Sequence, residues 1–481
     1  MKNKQNRYGD GKAMKLLNEV IKRRLSMKRY ILMAVCLMMA WGHCVAAERD
    51  LLEADPASLK KWQDMRFGMF ICWGPVSLTG HEIGFSRGNP TPISVYDNLY
   101  KKFNPEKFNA EEWAKIVKQS GARYVIWLTK HLDGFCMWDT KLWEHNIMKT
   151  PLGRDVTREF ADALKKEGIA LVPYWCIGDY LHPDSPSTGK GGSRGKSKKK
   201  RQNADIERYA DYLQAQSKEL IDNYGPLLGM WYDAPHGFDD KIARRVIRYV
   251  RGLQPTLLIN NRLCDNTIYK PGDYDTPEQR LGLFNRRRPW ETCVTLGTQW
   301  SWKPNDELKS STEAVSILVR CAVGDGNLAL NTNPMPDGRI EPRQVDIFKK
   351  IGNWLEKYGE SIYETRGGPY VSPAAVHVSP RGQKYHHLKD MTGSWGGSTH
   401  RGNTVYLHVL KWPEGDITLP DIGIKLKSHK VLTGGEAQIK EENGGFTVSV
   451  PEESRDAVDT IVKLEFDGAV DKVKPIILES K

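Results

Sequence analysis

The residues best placed to do chemistry lie in the stretch LGMWYDAPHGFDD, where a short apolar run, Gly229 to Tyr232, leads straight into Asp233 and then into a Pro/Gly loop. An apolar strand that ends on a carboxylate, with no room to continue as a helix, is how a (β/α)8 barrel presents a catalytic acid at its C-terminal rim. Asp233 is therefore a candidate nucleophile, although taken alone an Asp in such a place more often caps the turn that follows. A second strand end carries a dense polar cluster, Thr129 to Phe135 (TKHLDGF), and a third runs into Asn261-Arg262.

The elements that must position these residues can be read from periodicity. Arg66 to Trp73 (RFGMFICW), Ala122 to Leu128, Ile169 to Cys176, the Asp233 strand, Thr256 to Asn260, Val294 to Thr298 and Asn327 to Asn331 read as buried strands of parallel type. Helices are expected over Ala110 to Ser120, Val156 to Glu167, Asp205 to Tyr224, Asp239 to Leu253, Ser311 to Cys321 and Arg343 to Gly359. Strand then helix, repeated, is the signature of a parallel α/β barrel. From about Pro369 the pattern changes to short alternating segments between Gly/Pro/Asn turns, such as Thr404 to Leu410 and Gly445 to Val450, which predict an antiparallel β-sandwich. The predicted fold is thus α/β: a (β/α)8 TIM-like barrel over residues 48–368 and a C-terminal sandwich over 369–481.

At 481 residues and 40% hydrophobic, the chain can bury one large core and a smaller one. The 15 Trp suit either a big core or sugar binding, since an indole face can stack on a pyranose. Residues 1–47 read as a leader: Lys28 and Arg29, an apolar run Ile31 to Trp41, and a small-residue cleavage site at Val45-Ala46-Ala47. Export to the periplasm or the exterior is expected, and no segment is long enough to span a membrane. The leader holds ten Lys/Arg and two Asp/Glu, so its removal takes 8 from the formal +12 and leaves +4. The basicity that remains is concentrated in GKGGSRGKSKKKR, residues 189–201, either a solvated loop or a contact for an anionic glycan. The six Cys beyond the leader form no CxxC pair and read as free, semi-buried thiols without a zinc site.

Several of these pieces together resemble glycoside hydrolase family 29, the α-L-fucosidases: RFGMFICWGP in the first strand, TKHLDGFCMWDTK in the second, GMWYD at the nucleophile strand, then INNR, DYDTPE, PWETC and GDGNLALNTNPMPDGRI, from about Leu51 to Gly368. The resemblance implies a barrel followed by a β-sandwich and a retaining hydrolase without cofactor or metal, in which Asp233 is the nucleophile. Retention needs a second carboxyl as acid/base. Glu278 in DYDTPE and Glu291 in PWETC both follow predicted strand ends, and Glu278 is favoured. Arg262 would hold Asp233 ionised, while Glu82, His131 and Trp175 would recognise hydroxyls and Trp73, Trp300 and Trp302 would stack on the sugar.

Two positions depart from the family pattern: Cys72 and Leu132 stand where it has His. A pocket that has lost polar partners discriminates differently, so an α-L-galactosidase acting on algal galactan oligosaccharides stands beside the α-L-fucosidase reading. The competing class is a sugar-binding barrel without turnover. Nucleic-acid binding is disfavoured, because one basic loop on an exported chain offers no reading element. The partner implied is an oligosaccharide or polysaccharide, with an anionic one as an option; aglycone, linkage and oligomeric state are not encoded in any motif.

Overall fold

The computed structural model describes residues 50–187, 201–264, 271–372, 395–442 and 444–478, with the backbone strand Tyr385–His387 between them. The predicted leader and all of the basic run except Arg201 lie outside the described residues. No described helix is long and apolar enough to cross a membrane.

Helix α1 (Pro56–Met65) precedes strand β1 (Phe67–Ile71), and strand and helix then alternate: α2 (Ala110–Gln119), β2 (Tyr124–Lys130), α3 (Val156–Lys166), β3 (Ala170–Cys176), α4 (Ile206–Tyr224), β4 (Gly229–Asp233), α5 (Asp240–Leu253) and β5 (Leu258–Ile259). After β6 (Arg280–Gly282) come β7 (Glu291–Thr295), α6 (Ser311–Val323), β8 (Asn327–Thr332) and α7 (Pro342–Tyr358). Side chains start the helices where the sequence supplies them: Asn109, Asp155, Asp205, Asp239 and Ser310 each accept from a backbone N–H three residues on. Such a cap contributes about 1 kcal/mol. Asp205 and Asp239, predicted as first helical residues, are therefore the residues that stop the chain being helical before them.

Seven strands form one parallel sheet in the order β5-β4-β3-β2-β1-β8-β7. β6 lies outside it and pairs antiparallel with Tyr385–His387. The sixth place is taken by an irregular segment, tied to its neighbours by isolated parallel bridges Asn260–Tyr274, Asp275–Trp290 and Glu278–Cys293. Because side chains alternate along a strand, the sheet splits its residues between two cores. Phe67, Met69, Ile71, Val125, Trp127, Leu171, Met230 and Tyr232 face the helices. Phe70, Cys72, Tyr124, Ile126, Leu128, Tyr174, Cys176 and Trp231 face inward, away from them.

Beyond α7, a five-stranded antiparallel sheet runs in the order Leu426–Val431, Thr460–Phe466, Thr404–Val409, Gly396–Arg401, Arg366–Gly367, beside a three-stranded one of Ile417–Pro420, Gly445–Ser449 and Gln438–Glu442. Val405, Leu407, Leu464, Leu419 and Val448 share a core between them. Tyr406 and Ile461, of opposite parity on the same strands, belong instead to the outer core of the α/β region. Antiparallel pairing in the five-stranded sheet begins at Arg366. All six described Cys are buried, and none is bonded to another through a disulfide.

Candidate active site

Asp233 is the last residue of β4, and Ala234 turns the chain away at φ +47°. Gly229 opens the same strand because a Cβ there would sit 2.5 Å from the Leu258 carbonyl oxygen of β5. The Asp233 carboxylate is fixed from three sides: Oδ1 accepts from the Ala234 N–H at 2.8 Å and from Arg262 Nη1 at 3.1 Å, and Oδ2 from the Tyr174 hydroxyl at 2.8 Å. Burial would raise this carboxyl, but the Arg262 charge and these donors outweigh it and hold Asp233 below the ordinary carboxylate range. It is ionised at neutral pH.

Arg262 is itself locked. Its Nε donates to Thr276 Oγ1 and its Nη2 to the Thr276 carbonyl, both at 2.8 Å, while the guanidinium carbon lies 4.8 Å from the centre of the Trp231 ring. Nη2 also reaches Cys293 Sγ at 3.9 Å, and Nη1 is shared between Asp233 Oδ1 at 3.1 Å and Glu278 Oε2 at 2.9 Å. Two contacts to one nitrogen cap the separation of those oxygens at the sum of 3.1 and 2.9, or 6.0 Å. Glu278 stands at the irregular sixth place, opposite Cys293 of β7, with 42% of its side chain exposed.

These groups line a cavity of about 200 Å³ with Cys72, His131, Leu132 and Trp300. His131 follows β2 directly and stacks on Tyr174, ring centres 5.8 Å apart. Burial pushes its imidazole down to about 4, so it is neutral at pH 7. Its Nδ1 has no hydrogen-bond partner among the described residues.

Five of the residues expected at the site do not line this cavity. Trp73 and Trp175 have the outward parity of their strands: Trp73 packs among Phe103, Phe108 and Trp113, and Trp175 carries Lys130 Nζ 4.0 Å over its ring while its Nε1 donates to Gln216. Glu82 spends its carboxylate on backbone N–H groups of Ile83, Trp300 and Ser301, a staple between two loops. Trp302 supplies its carbonyl to Gln299 and keeps its indole nitrogen buried. Glu291 opens β7 rather than ending a strand, paired with Asn327 at the start of β8, so it sits at the opposite end of the sheet from Asp233. It is fully buried, bonded to Tyr124 and, at 3.0 Å, to the Nε1 of Trp231, whose indole separates it from the cavity. Burial raises it to about 7.

An α-L-fucosidase family profile matches residues 45–360. The chain belongs to this family. Among α-L-fucosidases of known sequence it is similar to the plasma enzyme of Homo sapiens, 26% identical over 436 residues, with 83% of this chain and 87% of that one covered. The α-L-fucosidase of Dictyostelium discoideum is 25% identical over 427 residues, covering 82% and 86%. Of solved α-L-fucosidase structures, isoenzyme 1 from Paenibacillus thiaminolyticus superposes with a TM-score of 0.72 at 31% identity, covering 85% of this chain and 99% of that one. That of Bacteroides thetaiotaomicron gives 0.72 at 25%, covering 86% and 96%. The protein is a glycoside hydrolase of the fucosidase type.

Phe70, Tyr174, Trp231, Cys176, Cys293 and Phe85 also line the cavity without having been singled out from the sequence. For the strand residues among them the signal was available: counting back by two from Asp233 gives Trp231, from Cys72 gives Phe70, and from Cys176 gives Tyr174.

Proposed function

We propose that the protein releases a terminal α-L-fucosyl-type residue from glycans by double displacement, with Asp233 as nucleophile and Glu278 as acid/base. The observation that carries this reading is the shared Arg262 nitrogen. An Oδ1 to Oε2 separation of at most 6.0 Å is compatible with the roughly 5–5.5 Å of retaining enzymes and lies below the roughly 6.5–9.5 Å that leaves room for water in inverting ones. Asp233 Oδ1 is occupied by two donors, so Oδ2, with one, has the lone pair to attack the anomeric carbon. The glycosidic C–O bond breaks as Glu278 gives its proton to the leaving oxygen, and a glycosyl ester forms on Asp233. Glu278 then takes a proton from water, which attacks the same carbon and frees the carboxylate. Neutral His131 can accept or donate a hydrogen bond to a ring hydroxyl.

A second reading, hydrolysis of α-L-galactosides, is favoured by Cys72 and Leu132, which both line the cavity and give its wall apolar character where the family resemblance implies imidazoles. Rates on nitrophenyl α-L-fucoside and α-L-galactoside distinguish the two; an equal or better rate on the fucoside speaks against the galactose reading. Asp233→Ala separates both from a sugar-binding barrel without turnover: in a hydrolase it abolishes turnover and spares binding, whereas a binding barrel has no turnover to lose.

The three bridges at the sixth place support a closed (β/α)8 barrel up to about residue 368, and the core shared by the two antiparallel sheets supports a following β-sandwich. The charged and apolar pattern of residues 1–47 supports export, and the basic run at 189–201 supports an anionic glycan as substrate.

A further inference from the structure

Seven large apolar side chains are exposed among the described residues, and four of them, Leu78, Phe85, Ile93 and Val95, belong to the single long loop between β1 and α2. Scattered exposed apolar residues are ordinary, but an exposed aromatic ring lining a cavity calls for an occupant. Of the four, Phe85 alone lines the catalytic cavity, with its ring against His131 at 6.3 Å between centres and 42% of the residue open to solvent.

Its position is built rather than incidental. Gly84 N–H donates to the Tyr96 hydroxyl at 2.7 Å, and that hydroxyl donates to buried Asp133 at 3.0 Å. Ile83 N–H donates to Ser301 Oγ at 2.9 Å. Glu82 ties the same turn to the backbone of Trp300. Gly84 cannot be replaced without loss, because a Cβ there would lie 2.9 Å from Leu132 Cβ. The loop thus holds an aromatic ring rigidly at the mouth of the cavity, which spares the ordering cost of a flexible platform.

We propose that Phe85 forms the floor of a leaving-group subsite: it stacks on the apolar face of the pyranose from which the terminal sugar is cut. The inference rests on the function proposed above. Glu278, the proton donor to the leaving oxygen, and Phe85 line the same cavity and are both open to solvent, which puts an exposed aromatic ring on the side from which the leaving group departs.

The test compares wild type with Phe85→Ala on two donors that share the sugar to be cleaved, in both the L-fuco and L-galacto series. One is the glycosyl fluoride, whose leaving ion is too small to touch Phe85; the other is a disaccharide with a pyranose leaving group. For Phe85→Ala, kcat/KM on the disaccharide should fall roughly tenfold more than on the fluoride, the scale of one lost aromatic stacking contact. Phe85→Trp should recover most of that difference. Equal losses on the two donors, or a Trp variant as poor as Ala, would overturn the subsite while wild-type turnover of the fluoride kept the hydrolase reading intact. A wild type inert toward every donor would overturn both together.

Discussion

Glu291→Gln probes the assignment of the two glutamates most directly. Glu291 is fully buried at the end of the sheet remote from Asp233, and burial raises its carboxyl from 4.5 to about 7. The folded protein therefore holds a proton that the unfolded chain has released over that interval. The stability this contributes is complete below pH 4.5 and is lost as pH rises through about 7. At about 1.4 kcal/mol per decade of proton affinity, the loss is on the order of 3 kcal/mol. Gln mimics the protonated acid: its amide can donate to Tyr124, and its carbonyl can accept from Trp231 Nε1. Urea melts at half-unit pH steps should show wild type losing about 3 kcal/mol relative to Glu291→Gln between pH 4.5 and 7, while turnover by the variant stays near wild type. Parallel stability profiles would refute the buried-acid reasoning. If instead the variant's turnover dropped by about 10²-fold or more, the scale expected of a lost general acid, Glu291 would return to the chemistry.

Other substitutions read out the remaining parts. Glu278→Ala should lose about 10²–10⁴-fold on unactivated glycosides and far less on a glycosyl fluoride, whose leaving group needs no proton. Tyr174→Phe removes a donor to ionised Asp233 worth about 1.5–3 kcal/mol; the acid limb of its kcat/KM profile should move to higher pH, because Asp233 is then held down less strongly. Cys72→His with Leu132→His should raise the ratio of fucoside to galactoside turnover, measured on the nitrophenyl glycosides. Asp205→Ala, which deletes the cap of α4, should cost about 1 kcal/mol in urea melts and leave turnover unchanged.

Apolar runs bounded by turn residues located β1, β3 and β4 to within two residues, because each strand is buried on both faces and leaves a continuous signal. The sixth place left none: it is held by three isolated bridges, and a segment without ladder pairing has no periodicity to read. β7 was expected at Val294 to Thr298 and lies at Glu291–Thr295. Glu291 precedes the expected strand and opens the observed one, so neither placement puts it at a strand's C-terminal end. The positions of Asp233 and Arg262 were legible because one ends, and the other follows, a strand with a plain end. Trp73 and Trp175 alternate with cavity-lining Cys72, Tyr174 and Cys176 and so face the helices, a parity the sequence reading did not count. The backbone staple made by Glu82 depends on a loop contact more than 200 residues away in the chain, which no local pattern encodes.

The separation of the tryptophans by strand parity also sets what light can report. Trp73, Trp113, Trp127 and Trp175 are sealed behind the sheet, whereas Trp231 and Trp300 border the cavity. Intrinsic emission should therefore respond to a bound sugar through these last two, while the four behind the sheet stay out of reach of an aqueous quencher. Trp231 touches Arg262 with its ring face and Glu291 with its nitrogen, so one indole senses both occupancy of the site and titration of the acid beneath it.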